Sequence, residues 1–268
     1  LPQLNINPPK TIQPTTPPVL IGYPTSSKPI EFACRETSLV AALYPDATAI
    51  TEANVTAATF EQSLQTSAPF LHFTGHGEHN AENPEASALY LAHDEPFTLK
   101  QLLNLDSLNF PLVCLAACET GITNQGEFIN EFVGFPAAFL AQGSRYILST
   151  LWTVNEQSSM VFVVEFFRHY RQHQNPPRAF CHAQTQLQTL TYADLAQWYS
   201  HAMTEVEEFG ADWSWFKSLT TNIENNPSQY ENPHPPYADA YHWAGFVLTG
   251  QAQPKNPGFL KKPGFWPL

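Results

Sequence analysis

The chain has 268 residues, of which 43% are hydrophobic, and it can therefore bury one large core or two small ones. Its formal net charge of -12 argues against nucleic acid or an anionic membrane as the main partner. No apolar run approaches the roughly 20 residues of a membrane-spanning helix, so a membrane partner is not expected.

The four cysteines, at positions 34, 114, 118 and 181, are widely spaced in apolar surroundings. This spacing is unlike a disulfide framework and favours a reducing, cytoplasmic location. The sequence begins without methionine and without a positively charged signal segment. We therefore expect the chain to belong to a longer protein with a further domain upstream.

In chain order, residues 1–18 come first and are predicted to form a proline-rich linker in extended or polyproline form. Apolar periodicity and turn residues then predict alternating strands and helices. Up to residue 104 these are strands at 19–24, 47–51, 70–77 and 88–91 and helices at 29–43, 54–65 and 98–104, the last with Thr98 as N-cap.

The alternation continues through the second half of the chain. Its predicted elements are strands at 110–118, 145–152 and 243–249 and helices at 128–142, 158–173 and 177–190. Residues 191–240 are predicted to be less regular, and residues 251–268 to form a proline-rich tail after a domain over residues 19–250. This pattern indicates the α/β class, with a mostly parallel central sheet flanked by helices.

Two of the predicted strands end in a reactive side chain. The apolar run at 70–77 ends in His76 and Gly77, and the run at 110–118 ends in Cys118. Neighbouring parallel strands share a carboxyl edge, so the imidazole and the thiol are expected to face each other there, within about 3–6 Å. Such a pair is the minimum equipment for nucleophilic catalysis. The amides of Gly77 and Cys118 are candidate donors to an oxyanion.

Structural and metal-binding roles compete with this interpretation. A single histidine or cysteine at a strand end is more often structural than functional. His72 and His76 are about 13 Å apart on a strand, too far for one metal ion, and Cys114 and Cys118 fail for the same reason. Only His76, His79 and Cys118 remain as a metal-binding set. The sequence contains neither a phosphate-binding glycine loop nor a nucleophilic serine elbow.

The motifs together resemble a known family. Residues 72–77 read His-x-x-x-His-Gly after one strand, and residues 115–121 read Leu-Ala-Ala-Cys-Glu-Thr-Gly after the next. Residues 135–152 and 242–250 extend the likeness, the latter reading His-Trp-Ala-Gly-Phe-Val-Leu-Thr-Gly. Across residues 19–250 the chain is similar to a CHAT domain, a caspase-like and separase-like peptidase domain often found behind tetratricopeptide repeats.

The resemblance implies a caspase-like three-layer sandwich and the activity of a cysteine endopeptidase on specific protein or peptide substrates. It implies Cys118 as nucleophile, His76 as general base and acid, and the Gly77 and Cys118 amides around the oxyanion. It implies no metal and no organic cofactor, and control by an attached repeat domain or a partner protein. The alternative is a catalytically silent caspase-like module that binds or scaffolds a partner.

The resemblance also places the substrate pocket after the strand at 145–152. We further predict that loops 78–87, 120–127 and 153–158 surround one cleft. The predicted substrate-binding residues are Glu119, Trp152, Thr153, Asn155 and Glu156. The family often has Trp-Pro-Val-Asp-Asp here, and an aspartate would suit arginine or lysine in the substrate. Because Asn155 lacks that charge, a basic preference and a hydrogen-bonding or apolar preference both stay open.

Overall fold

The computed structural model of the chain describes residues 16–80, 82–105, 107–118, 134–206, 213–225 and 235–250. Its strands are β1 (Val19–Pro24), β2 (Thr48–Glu52), β3 (Phe70–Glu78), β4 (Ala88–Tyr90), β5 (Pro96–Thr98), β6 (Leu112–Cys118), β7 (Tyr146–Thr150) and β8 (Phe246–Gly250). Its helices are α1 (Ala33–Leu43), α2 (Ala57–Leu64), α3 (Leu99–Leu103), α4 (Phe135–Ala141), α5 (Glu156–His173), α6 (Pro176–Thr189), α7 (Tyr192–Glu205), α8 (Ser214–Asn225) and α9 (Ala240–Trp243). Within these ranges no helix has the length and apolar character needed to cross a membrane.

One sheet organises these elements. Its strand order is β2-β1-β3-β6-β7-β8, and the β4–β5 hairpin attaches to β3. Strands β2, β1, β3, β6 and β7 pair in parallel, whereas β8 runs antiparallel to β7. The predicted mostly parallel sheet is confirmed, and the carboxyl ends of β3 and β6 lie side by side near its middle.

Helices cover both faces of the sheet and give three layers. On one face, α1, α5, α6 and α7 enclose a core that includes Phe162 and Phe167. On the other face, α2, α3 and α4 pack over Phe60 and Phe73. The α/β sandwich predicted from the alternating elements is therefore confirmed.

Strand β3 contributes to both cores, because successive residues of a strand point to opposite faces. Phe70 belongs to the core under α1 and α5, whereas Leu71 and Phe73 belong to the opposite core. The ring of His72 packs against Phe167 of α5, with 5.3 Å between centroids. The same alternation places position 76 on the α1–α5 face, at the carboxyl edge of the sheet.

The structure corrects several predicted boundaries. Helix α1 begins at Ala33 rather than at residue 29, whereas α5 begins at Glu156, earlier than predicted. The short strand β5 was not predicted, but α3 starts behind it with Thr98 as N-cap, as predicted. Three residues of β5 are too few to show a periodicity, which explains why that strand has no signal of its own.

Residues 191–240 are predicted to contain little regular secondary structure. This prediction is wrong, because most of the described residues in this range form α7 and α8. Helix α4 begins at Phe135, and residues 128–133 of the helix predicted there lie outside the described residues. The same holds for residues 1–15, 120–127 and 251–268, so the linker, the loop and the tail stay predictions.

Candidate active site

The two strand ends singled out by the sequence are paired in the sheet. Strands β3 and β6 match residue for residue from Phe70 with Leu112 to His76 with Cys118. Paired strands lie roughly 4.8 Å apart, so positions 76 and 118 are neighbours on the carboxyl edge. The side chain of Cys118 lies outside the described part of the structure, and the predicted contact between thiol and imidazole therefore stays a prediction.

The His76 ring is half-buried, and its Nε2 atom contacts the carbonyl oxygen of Lys28 in the loop after β1. A carbonyl oxygen only accepts hydrogen bonds, so Nε2 carries the hydrogen in this contact. Nδ1 is then the nitrogen that remains for exchanging a proton with another group. Strand β1 pairs with β3 on the side away from β6, and this explains how its loop reaches the ring.

The loop that presents this carbonyl is itself anchored by Asp94. The hydroxyl of Ser26 donates to Asp94 Oδ1 at 2.6 Å, and the amide of Ser27 donates to Oδ2 at 3.1 Å. The amide of Lys28 donates in turn to Ser26 Oγ at 3.1 Å. The bond from Ser26, followed by those from Ser27, lowers the pKa of the Asp94 carboxyl, and the nearby His76 adds to the effect.

Strand β4 borders the site on the same side as β1. Its Tyr90 pairs with His76, and the Tyr90 hydroxyl donates a hydrogen bond to the Glu78 carboxylate. That bond, with burial as the second cause, raises the pKa of Tyr90 to about 12. The phenol is therefore neutral at physiological pH and acts as a donor, not as a base.

Small residues let the strand tips approach each other at this edge. A Cβ atom on Gly77 would lie 3.2 Å from the Ala117 Cβ atom of β6, and one on Gly75 would lie 3.2 Å from Pro24 Cδ. Both distances are tight for carbon atoms, which explains the glycines on either side of His76. The assignment of the Gly77 and Cys118 amides to an oxyanion stays a prediction.

A comparison with known protein families shows which family the chain belongs to. A family model described as CHAT domain matches residues 3–251, which is most of the chain. The chain belongs to the CHAT domain family. CHAT domains are caspase-like and related to peptidases, and the resemblance inferred from the sequence is confirmed. A comparison with curated proteins gives no match.

In this CHAT domain, two of the predicted substrate-binding side chains already have partners. The Asn155 side chain caps α5 and accepts hydrogen bonds from the amides of Gln157 and Ser158, each at 3.1 Å. The Glu156 carboxylate accepts a bond from the Phe32 amide at 3.2 Å, just before α1. A carboxylate is favourable at a helix N-terminus, so Glu156 links the starts of α1 and α5.

The other predicted pocket residues of the CHAT domain differ in exposure. The Trp152 indole donates to the Tyr241 carbonyl at 3.1 Å, and a Cβ atom on Gly245 would lie only 2.8 Å from its ring. Thr153 is exposed, and Glu119 lies outside the described residues. Trp152 is therefore fixed against the segment before β8, whereas the Thr153 side chain faces solvent.

Of the hypothesised metal-binding residues His76, His79 and Cys118, the structure describes the side chains of the two histidines. The Nδ1 atom of His79 lies 3.4 Å from the Ser87 hydroxyl. Among the described side chains, no group of three His, Cys, Asp or Glu residues is placed to hold a metal ion. The hypothesis also needs Cys118, whose side chain is not described.

A second pair of histidine and cysteine lies in the same strands, deep in the CHAT core. His72 pairs in register with Cys114, and its Nε2 atom lies 3.1 Å from Glu36 Oε1, although the angle does not give a hydrogen bond. Burial raises the pKa of the Cys114 thiol far above its ordinary value, and the Glu36 charge adds to this. The thiol is therefore protonated, and Cys114 is a small buried residue of the core.

The sequence motifs do not indicate the groups that hold His76, namely the Lys28 carbonyl and its anchors Ser26 and Asp94. A signal for the loop exists, because residues 24–29 read Pro-Thr-Ser-Ser-Lys-Pro directly after a predicted strand. Short polar and proline residues at a strand end indicate a turn at the sheet edge. The sequence gives no corresponding signal for Asp94, which is distant in the chain.

Proposed function

We propose that this CHAT domain is a cysteine endopeptidase in which His76 and Cys118 form the catalytic pair. The observation that carries the proposal is the register of β3 and β6, which makes these two positions neighbours at the carboxyl edge. The contact of His76 Nε2 with the Lys28 carbonyl supports it, because Nδ1 is left for the thiol and the substrate.

In the proposed first step, the Cys118 thiol gives its proton to His76 Nδ1, and the resulting thiolate attacks the scissile carbonyl carbon. A C–S bond forms as an electron pair moves onto oxygen. The amides of Gly77 and Cys118 stabilise this oxyanion. The tetrahedral intermediate then collapses, the C–N bond breaks, and the leaving nitrogen takes a proton from His76. Water adds to the thioester and gives a proton to His76, and breakage of the C–S bond restores the thiolate.

The proposed substrates are specific proteins or peptides, and the reaction needs no metal or organic cofactor. Thr153 and Glu119 are the proposed substrate contacts, with Trp152, Asn155 and Glu156 shaping the same wall. An attached repeat domain or a partner protein is proposed to control activity. These assignments rest on the family and on the positions of the residues around the strand ends.

The test is cleavage of a peptide library, with cut sites identified by mass spectrometry. Cys118→Ala and His76→Ala are each expected to lower the cleavage rate by roughly a thousandfold, since members of a catalytic pair act as a unit. Cys181→Ala and His79→Ala are the controls and should cut normally. Equal loss in His79→Ala would favour the metal hypothesis, and unchanged cleavage by Cys118→Ala or His76→Ala would refute the proposed function.

A further inference from the structure

A cavity of about 370 Å³ opens beside His76, at the carboxyl ends of β1 and β2. Parts of segment 23–34 form one wall, and Glu52, Gly75, His76 and Tyr90 complete it. Its volume lies at the lower end of the range for small-ligand pockets, roughly 300–1,000 Å³. It is not the cleft predicted around loops 78–87 and 153–158, because none of their residues line it.

The cavity, His76 and Cys118 follow one another along the edge of the sheet. The strand order β2-β1-β3-β6 places the cavity over β2 and β1, His76 on β3 and Cys118 on β6. His76 therefore stands between the cavity and the position of the proposed nucleophile. A substrate peptide that contacts both His76 and Cys118 therefore directs one of its two parts, either the residues before the cut or those after it, toward the cavity.

The chemistry of peptide cleavage selects which side that is. The scissile carbonyl carbon must meet the sulfur, whereas the leaving nitrogen must meet the group that protonates it. The residues that follow the cut are attached to that nitrogen, so they extend past His76, away from β6. We propose that the cavity binds the side chain of the first or second residue after the cut, and that it favours a cationic one. This inference rests on the proposed function of His76 and Cys118.

The walls of the cavity explain the proposed preference. Pro24, Pro29 and Ile30 give it an apolar surface, which suits the methylene stem of lysine or arginine. Glu31 and Glu52 line it as well, and both are exposed to solvent. No lysine or arginine is among the residues that line it, so the described wall carries only acidic charge apart from His76.

Of the two glutamates, Glu52 is the better candidate for pairing with the substrate. Glu31 already has an internal partner, since its carboxylate lies 3.7 Å from the Arg35 guanidinium. Glu52 lies across from the wall formed by segment 23–34, and its charge adds to burial, the largest cause, and to Cys34 in raising the pKa of Tyr23. Glu52 ends β2, and its backbone has a positive φ of 54°, which turns the chain at the cavity rim.

The experiment profiles the residues that follow the cut. A peptide library is digested with wild-type protein and with Glu52→Lys, and Asp46→Lys serves as a control with the same charge change. Asp46 is exposed and lies before β2, so the whole strand separates it from the cavity. Wild-type protein should prefer lysine or arginine over glutamate at the first or second position by about threefold to fivefold. Glu52→Lys should reverse that order, and Asp46→Lys should keep it.

Two outcomes would overturn the inference. One is the absence of selection after the cut in wild-type protein, and the other is the same selection in Glu52→Lys as in Asp46→Lys. An electrophilic peptide that contains only residues before the cut separates this failure from failure of the proposed function. If it labels Cys118 of wild-type protein while selection is absent, only the inference fails. If the electrophilic peptide does not label Cys118 and no library peptide is cut, the proposed function fails, and the inference fails with it.

Discussion

At the scale of single residues, the orientation of His76 depends on the Asp94 carboxylate, although the two side chains share no hydrogen bond in the structure. Asp94 holds Ser26 and Ser27, and these residues position the Lys28 carbonyl against the His76 ring. A small displacement of a catalytic group lowers the rate of reaction far more than it affects ground-state binding. Asp94 is therefore a positioning residue for the proposed reaction.

Asp94→Asn removes the charge but keeps a residue that tolerates the left-handed backbone, where Asp94 has φ 60°. We expect kcat to fall by roughly tenfold, because the ring is less well held, with a smaller rise in KM, because the same loop lines the cavity beside His76. Glu95→Gln changes charge equally at an exposed neighbouring position and should have no such effect. Steady-state kinetics on one peptide substrate would check this, and equal kcat values for the two variants would contradict it.

Motif spacing predicts His76 because a histidine between glycines at the end of an apolar run is a recognisable side-chain pattern. It does not predict the Lys28 contact, because the group involved is a backbone carbonyl that every residue type possesses. Asp94 is hidden for a different reason, because its partners are 67 and 68 residues away in the chain. The pairing of β3 with β1, and with β4 near His76, brings these residues together.

At the scale of secondary-structure elements, Asn155 has a structural role as the N-cap of α5. Asn155→Ala should lower the free energy of unfolding by about 1 kcal/mol, because two amides lose their acceptor. Asn155→Asp should keep the stability, since aspartate is an equally good N-cap and suits a helix N-terminus.

The pair of variants also tests the predicted role of Asn155 in substrate binding. Urea unfolding measures the stability, and cleavage-site profiling of Asn155→Asp measures preference. If position 155 faces the substrate, the added carboxylate should shift cleavage toward arginine or lysine before the cut. An unchanged profile, together with a destabilised Asn155→Ala, would restrict Asn155 to capping.

Helix α7 shows why some elements escape prediction. It begins with a reciprocal capping box between Thr191 and Asp194. Its buried residues Leu195, Ala196, Tyr199 and Ala202 recur at helical spacing, but two are alanines, which give a weak apolar signal. The buried strands β3 and β6 are easier to predict, since their apolar residues are nearly continuous.

At the scale of the whole molecule, two histidines make stability depend on pH. Burial lowers the pKa of His169, and His182, His173 and Arg178 lower it further, whereas Glu165 raises it. Burial also lowers the pKa of His242, which Asp239 partly opposes. As the pH falls through the ordinary histidine pKa of 6.5, the unfolded state therefore takes up protons before the folded state does. The free energy of unfolding decreases as the pH falls.

Urea unfolding at pH 7.5 and pH 5.5 tests this dependence. The midpoint should be lower at pH 5.5, and His169→Gln should show a smaller difference between the two pH values than wild-type protein. Glutamine cannot take up a proton in this range, so the substitution removes the contribution of His169 and leaves that of His242. A midpoint that is the same or higher at pH 5.5 in wild-type protein would contradict the expectation.

The class of fold can be predicted from a single sequence, but the order of the strands in the sheet cannot. Alternating strands and helices indicate a parallel sheet, and family resemblance supplies the caspase-like arrangement. The antiparallel direction of β8 follows from the route of the chain through α5 to α9, which local periodicity does not describe. The cavity beside His76 depends on that arrangement too, since its walls come from segment 23–34 and from the ends of β2, β3 and β4.

The central claim is that His76 activates Cys118, and the rate of alkylation of Cys118 tests it most directly. Iodoacetamide is applied at pH 6.5 to wild-type protein and to His76→Ala, and mass spectrometry follows the modified peptides. Cys118 should react about tenfold faster in wild-type protein, because a neighbouring imidazole favours the thiolate. The exposed Cys181 should react equally in both and serves as an internal control. Equal rates at Cys118 would contradict the claim.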